Sequence, residues 1–408
     1  VTHTSNSFSI DSMDKSTPVL ILGGRENALS LARSYGRLGI TVRICGSKSC
    51  WGIYSRFCSK AYRIPDDRNS DAFWSTLLLE EQHPELENSL LIAGNDDAIL
   101  FVANNRPQLE QNYILPPGNA ELELKLLDKE ATLELARQVG VPAPNHWRIS
   151  CLEDLDRIRD EIAFPVILKP LLSHRFFNVF KKKLFAIENS FDELVEKAQL
   201  AWSHGLEVMV VELIPGPDSA LSSYYTFTDS TGACLFNMTK SVVRRYPVNY
   251  GGTCLHLMDW LPETEEMGKR FFRGIGFTGF ASIEFKRDPR DNQLKVIEVN
   301  GRFTAPQELL TQAGARIDLV YYCACTDQSV PDTSGHNTQL KMWKSPQDFL
   351  AFLQLRRSGQ ITLWQWLKSV YPFNHVSCLN QLSDPIPTFG AYLSKVPPGW
   401  LFWKRSKG

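Results

Sequence analysis

The apolar positions of the chain fall first into a short unbroken run, Pro18 to Gly24 (PVLILGG). They then take up helical spacing, with Leu29, Ala32, Tyr35 and Leu38 recurring across Glu26 to Leu38. A second unbroken run, Thr41 to Cys45, follows. Strand, helix and strand in this order predict a βαβ unit, and with it a parallel sheet carrying helices on its faces. Ser89 to Ala93 (SLLIA) predicts a further strand, ending in Gly94, Asn95, Asp96 and Asp97. A polar turn at the carboxyl end of such a strand is where open α/β sheets hold ligands. Gly23 and Gly24 lack the full GxGxxG spacing of a dinucleotide loop, so the pair reads first as a tight turn, with contact to a second ligand left open.

Pro116, Pro117 and Gly118 interrupt this pattern, and Glu121 to Val139 then predicts one charged helix ending at Gly140. Phe164 to Pro170 (FPVILKP) and Leu206 to Ile214 (LEVMVVELI) predict two buried strands, the second closed by Pro215, Gly216 and Pro217. Strands and helices alternate to about Val330. Regularity is lost through Pro331 to Asn337, and helical spacing returns near Pro346 to Leu355 and Thr362 to Val370. The expected division is therefore a disordered tail over 1–17, a Rossmann-like domain over 18–118, a second α/β domain over 119–330 and a helical appendage over 331–408.

Composition adds exclusions. A chain of 408 residues, 43% apolar and 22% charged, folds into two or three packed units. A formal charge of -1 leaves no excess to neutralise a phosphate backbone, so nucleic acid is not the expected partner. Nine scattered cysteines without CxxC pairs read as reduced thiols, and Cys323 with Cys325 as packing, not redox chemistry. The Ser/Thr-rich opening lacks the charged start and apolar stretch of a secretory signal, and no run approaches the ~20 apolar residues that span a bilayer. A cytoplasmic protein is expected. Its last residues mix Phe389, Tyr392, Trp400, Leu401, Phe402 and Trp403 with Lys404, Arg405 and Lys407, which suits either packing on the body or contact with a membrane surface.

The chemistry concentrates between Gly279 and Phe303. GFASIEF carries Glu284, and KVIEVNGRF carries Glu298, Asn300 and Arg302, which alternation places on one face of a strand. Carboxylates on adjacent apolar strands need a positive partner, and magnesium takes a few protein oxygens while completing its shell from phosphate and water. A surface hairpin with its acids paired to Lys or Arg fits the same residues. Lys169 ends the apolar run of FPVILKP and either meets an anion such as a nucleotide phosphate or reaches solvent. Backbone at Glu212, Leu213 and Ile214, followed by Asp218, suits an adenine edge and a ribose, as would many strands ending in a turn.

Taken in order, Lys129 in LLDKEATLELARQVGVPAP, then FPVILKP, VVELIPGPD, SIEF and VIEVNGRF closely resemble the ATP-grasp superfamily, from about Pro18 to Val330. The likeness is to its carboxylate–amine ligase branch, near the D-aspartate ligase-like enzymes. It implies an ATP-grasp fold with an N-terminal Rossmann-like (pre-ATP-grasp) domain over 18–118, and two subdomains enclosing ATP within 119–330. It implies Lys129 and Lys169 on the ATP phosphates, Glu212, Leu213 and Ile214 at adenine, and Asp218 at the ribose. Glu284, Glu298 and Asn300 would hold two Mg2+ ions, for which Mn2+ is a substitute, and Arg302 would steady an acyl phosphate. Charge neutralisation and alignment at these places are what phosphoryl transfer requires.

One departure stands out. Relatives carry a glycine-bearing loop over the phosphates, whereas Leu171 to Leu184 reads LLSHRFFNVFKKKL, so Lys181, Lys182 and Lys183 either cover the triphosphate or form a solvated face. Arg244 and Arg245, in SVVRRYPVNYGGT, either orient the acid substrate through a carboxylate fork or make surface ion pairs. The expected activity is amide formation from a small carboxylate and an amine through an acyl phosphate. Carboxylation, carbamoyl-phosphate-type chemistry and non-catalytic ATP binding are the alternatives. A homodimer is consistent with related ligases, and the identities of acid and amine are not legible.

Overall fold

The computed structural model describes residues 10–171, 176, 179, 180, 182, 184–333, 337–372 and 375–393. Residues 1–9 of the expected tail, Lys181 and Lys183 of the basic loop, and the aromatic and cationic residues from Trp400 to Lys407 lie outside the described residues. Contacts divide the chain into two units. One comprises Val1–Pro116, Arg302–His336 and Val376–Gly408, the other Pro117–Gly301 and Asn337–His375. The segment expected as a single appendage thus divides between them.

In the first unit, strands β1 (Val19–Leu22), β2 (Val42–Gly46), β3 (Cys58–Arg63) and β4 (Leu90–Ala93) form a parallel sheet in the order β3-β2-β1-β4. All four residues of β1 are buried, which explains why its sequence, VLIL, shows no polar alternation. Gly23 and Gly24 have φ of 68° and 87°. A Cβ on Gly94 would fall 2.8 Å from the Gly23 carbonyl oxygen, so the turns after β1 and β4 meet where only glycines fit. Residues 10–17 pack on this unit, with Met13 buried and the Asp14 N–H donating to Gln328 Oε1 at 2.8 Å.

The late segment of the unit is fastened by charge. Arg33, on the helix Glu26–Arg37, is fully buried and donates through Nε to Asp384 Oδ2 at 2.9 Å and through Nη1 to the Cys378 carbonyl at 2.6 Å. Ser55 Oγ and the Arg56 N–H also donate to the Asp384 carboxylate. A buried carboxylate surrounded by donors in this way meets its desolvation cost within the protein.

The second unit holds two antiparallel sheets. The smaller, in the order β5-β8-β6-β7, uses β5 (His146–Ile149), β6 (Val166–Pro170), β7 (Phe185–Ile187) and β8 (Val208–Glu212). Its alternation is two-sided: Val208 and Val210 pack under the helix Phe191–Ser203, while Met209 and Val211 join the core containing Tyr224, Phe271 and Phe285. The larger sheet runs β13-β12-β9-β10-β11-β14, from β9 (Leu221–Thr228), β10 (Cys234–Tyr246), β11 (Gly252–Met258), β12 (Gly279–Arg287), β13 (Leu294–Asn300) and β14 (Lys341–Trp343). Ala281, Ile283 and Phe285 of β12 face that shared core, so the intervening Ser282, Glu284 and Lys286 face the other way.

The helix expected over Glu121 to Val139 is two helices, Ala120–Leu127 and Lys129–Gln138. The break has a local cause. The Asp128 carboxylate accepts from the Glu130 and Ala131 N–H groups at 2.8 and 3.0 Å, capping a new helix. Among the described residues no helix is long and apolar enough to cross a membrane.

Candidate active site

A charged row crosses the larger sheet. Glu298 of β13 lies opposite Glu284 of β12, Glu284 opposite Ser223 of β9, and Ser223 opposite Lys240 of β10. Residues directly opposite share a face, so all four project to the side away from the Phe285 core. Asn300, opposite Ser282, joins them by alternation. Exposure falls along the row: Glu298 is open to solvent, Glu284 half-buried, Ser223 3% and Lys240 2% exposed.

The smaller sheet contributes Lys169, near the end of β6 and opposite Met209. Its ammonium has no hydrogen-bond acceptor among the described residues. Burial, and next the nearby Lys129 ammonium, bring its pKa down to about 7, while the Glu298 carboxylate pulls the other way. Lys129, Lys169 and Glu298 are therefore electrostatic neighbours although the sequence separates them widely. Lys129 occupies the first turn of a helix, where a cation opposes the helix dipole unless an anion joins it. The break at Asp128 is what puts it there.

Lys240 was not singled out from the sequence. It donates to Ser223 Oγ at 3.0 Å, and burial lowers its pKa to about 8 against the opposing Glu284 carboxylate. A signal for it exists: Met238, Lys240 and Val242 alternate along β10, and the two apolar neighbours are buried, which places a lysine on a buried face. His256, on β11 opposite Val242, is 3% exposed and neither ring nitrogen has a hydrogen-bond partner among the described residues. Burial first, and then the Lys240 ammonium, hold this imidazole well below its usual pKa and keep it neutral.

The remaining predicted residues have protein partners. Arg244 forks onto Asp348 at 2.7 and 3.0 Å and donates to Ser369 Oγ at 2.8 Å. Arg245 donates through Nε to Asp218 Oδ1 at 2.9 Å and also to the Asn249 carbonyl. Asp218 is buried and accepts from the Asn249 N–H too. Both arginines thus belong to internal ion pairs. At the end of β8 the Glu212 and Leu213 N–H groups donate to the Asn145 and Pro165 carbonyls, and the Ile214 carbonyl accepts from Lys286 Nζ at 2.9 Å. The Glu212 carboxylate holds Arg290. Arg302, in the first unit, donates to Asp96 Oδ1 at 2.6 Å, at the polar turn following β4.

The acids by themselves do not make up a cation shell. Among the described residues no group of three or more His, Cys, Asp or Glu side chains is assembled to hold a metal. Two carboxylates and an amide on one face, open at Glu298, fit an ion that takes its other ligands from phosphate and water, and do not fit a self-sufficient structural metal.

No family model matches the chain. A D-aspartate ligase from Enterococcus faecium (strain Aus0004) is 25% identical over 303 residues, covering 69% of this chain and 70% of the relative. Among solved structures, a carboxyaminoimidazole ribonucleotide synthase from Aspergillus clavatus, complexed with ATP, superposes with a TM-score of 0.63 at 14% identity, over 85% of this chain and 87% of that one. The biotin carboxylase domain dimer of Hydrogenobacter thermophilus 2-oxoglutarate carboxylase, holding MgADP, ADP and bicarbonate, gives 0.59 at 18% identity over 78% and 72%. A parallel Rossmann-like sheet and two antiparallel sheets carrying the lysine and the acidic row give the chain the ATP-grasp fold, and in sequence it is similar to a carboxylate–amine ligase, the D-aspartate ligase above.

Proposed function

We propose that the protein transfers the γ-phosphoryl group of ATP to a substrate carboxylate, and that an amine then displaces phosphate from the acyl phosphate, leaving an amide, ADP and phosphate. The observation that supports this most is the meeting of Lys129 and Lys169 with Glu298 beside the Glu284–Glu298 pair, since cations and a partial metal shell are the parts that phosphoryl transfer needs. The D-aspartate ligase relative supports an amino acid as one substrate.

In this proposal Lys129 and Lys169 hold the ATP phosphates. Glu284, Glu298 and Asn300 hold two magnesium ions, which when bound would neutralise phosphate charge. The strand end Glu212 to Ile214 receives the adenine through groups other than the Glu212 and Leu213 N–H, and Asp218 meets a ribose only by sharing its carboxylate with Arg245. Arg302, oriented by Asp96, steadies the acyl phosphate. With Arg244 and Arg245 engaged elsewhere, Lys240 takes the task of facing the acid, because it lies in the same row as the metal-holding pair. The proposed assembly is a homodimer. The nine free thiols suit a reducing cytoplasm.

The test is phosphate release from ATP and magnesium, screened against paired amino acids and small acids. Release that requires both an acid and an amine is the expected result. Release with bicarbonate alone would point to carboxylation, and nucleotide binding without release under every pairing would sink the ligase proposal.

A further inference from the structure

Outside the site, the surface of the second unit has an unusual stretch in the helices Ser345–Arg357 and Leu363–Val370. Phe349 and Leu350 are 47% and 42% exposed, Leu363 46%, and Trp364 78%, with Tyr371 just beyond the second helix at 67%. The two helices are braced from within, where Phe352 stacks on Trp366 at 4.8 Å and Phe349 meets the same indole edge-on. Phe349 is thus shared between this packing and the surface, while Leu350, Leu363 and Trp364 lie outside that ring cluster.

Their placement is regular. Trp364, Lys368 and Tyr371 follow the spacing of one helical stripe. On the first helix Arg356 and Arg357 follow Phe349 and Leu350 by two turns, about 10 Å along the axis. Arg356, Arg357 and Lys368 are all exposed. From Ser345 to Val370 the single acidic residue is Asp348, which is fully buried against Arg244. The exposed charge carried by these two helices is thus cationic throughout, interleaved with aromatic and aliphatic side chains.

We propose that this helix pair docks the enzyme reversibly on an anionic lipid surface. Tryptophan and tyrosine settle at the level of lipid headgroups, and lysine and arginine beside them gain from anionic lipids, about 1 kcal/mol for each cation near the surface.

The full chain should co-sediment with phosphatidylcholine vesicles containing phosphatidylserine and stay in the supernatant with phosphatidylcholine alone, and high salt should release it. Arg356→Glu with Arg357→Glu should weaken binding by about thirtyfold or more, and separately Trp364→Ser by about tenfold, while ligase turnover is unchanged. Lys368→Glu gives the same reading should either variant fail to fold. Failure to sediment, or sedimentation that these variants do not alter, would overturn the proposal. So would binding lost only on Trp400→Ser with Trp403→Ser, or a dimer that Trp364→Ser converts to monomer, which would make a second copy the occupant.

Discussion

The second unit contains two sets of buried or half-buried charge that behave differently. Arg244 and Asp348 satisfy each other: both are almost wholly buried, the guanidinium forks onto the carboxylate, and Trp366 Nε1 and Ser369 Oγ complete the ring of partners. Lys169 and Lys240 do not reach that state. One has no acceptor for its ammonium among the described residues and the other has a single serine, and both are held below the usual lysine range by burial. The first set is a closed account of charge that supports the fold. The second is charge held ready at some cost to stability, as expected of groups whose partner arrives from solution.

That contrast is open to breaking. The largest expected effect is on the closed set: Asp348→Ala leaves the Arg244 guanidinium buried without its counter-charge and should cost about 3–5 kcal/mol, read as a lower urea midpoint with no matching rise in substrate KM. Next, Lys169→Met should lower turnover by about 10²–10³-fold while the protein unfolds at the same temperature or a higher one. Loss of stability equal to that of Asp348→Ala would erase the distinction. Arg302→Ala should abolish product formation while ATP still binds, which equilibrium binding of a fluorescent nucleotide would check.

A subtler effect concerns protons. The folded pKa of Lys169 lies below its unfolded value, so between about 7 and the ordinary lysine range the unfolded chain binds more protons. Stability should therefore rise with pH across that window, and Lys169→Met should flatten the rise. ATP phosphates favour the charged ammonium, so nucleotide binding near pH 8 should take up a fraction of a proton. Calorimetry in buffers of different ionisation enthalpy would show it, and the Met variant should not. The smallest effect is expected at Lys240: Lys240→Met should raise the KM for the acid by about tenfold and leave that for ATP nearly unchanged.

The strands that form from continuous apolar runs were readable in the sequence. VLIL, VILKP and VMVVE appear within a residue or two of their predicted places, because a strand buried on both faces needs no alternation to be noticed. The acidic pair and its amide neighbour were readable for the opposite reason, since period-two alternation among apolar neighbours separates Glu284, Glu298 and Asn300 from the core. What was missed depends on distance along the chain or on one side chain. The break at Asp128 needs an aspartate to choose capping over continuing a helix, and propensity alone does not decide that. The commitment of Arg244 depends on Asp348, 104 residues later, a pairing with no local trace. Lys240 escaped because its strand is long and mixed in polarity, so alternation had to be followed across the whole of β10 before the lysine showed on an apolar face.

The segment boundaries carry a consequence for handling the protein. The polypeptide passes from one unit to the other at 116/117, 301/302, 336/337 and 375/376. Neither unit is thus a contiguous stretch that a shortened gene could encode. A single protease cut would divide the chain into two fragments, yet at least three of these four crossings between the units would stay intact, so limited digestion should nick the enzyme long before it liberates either unit.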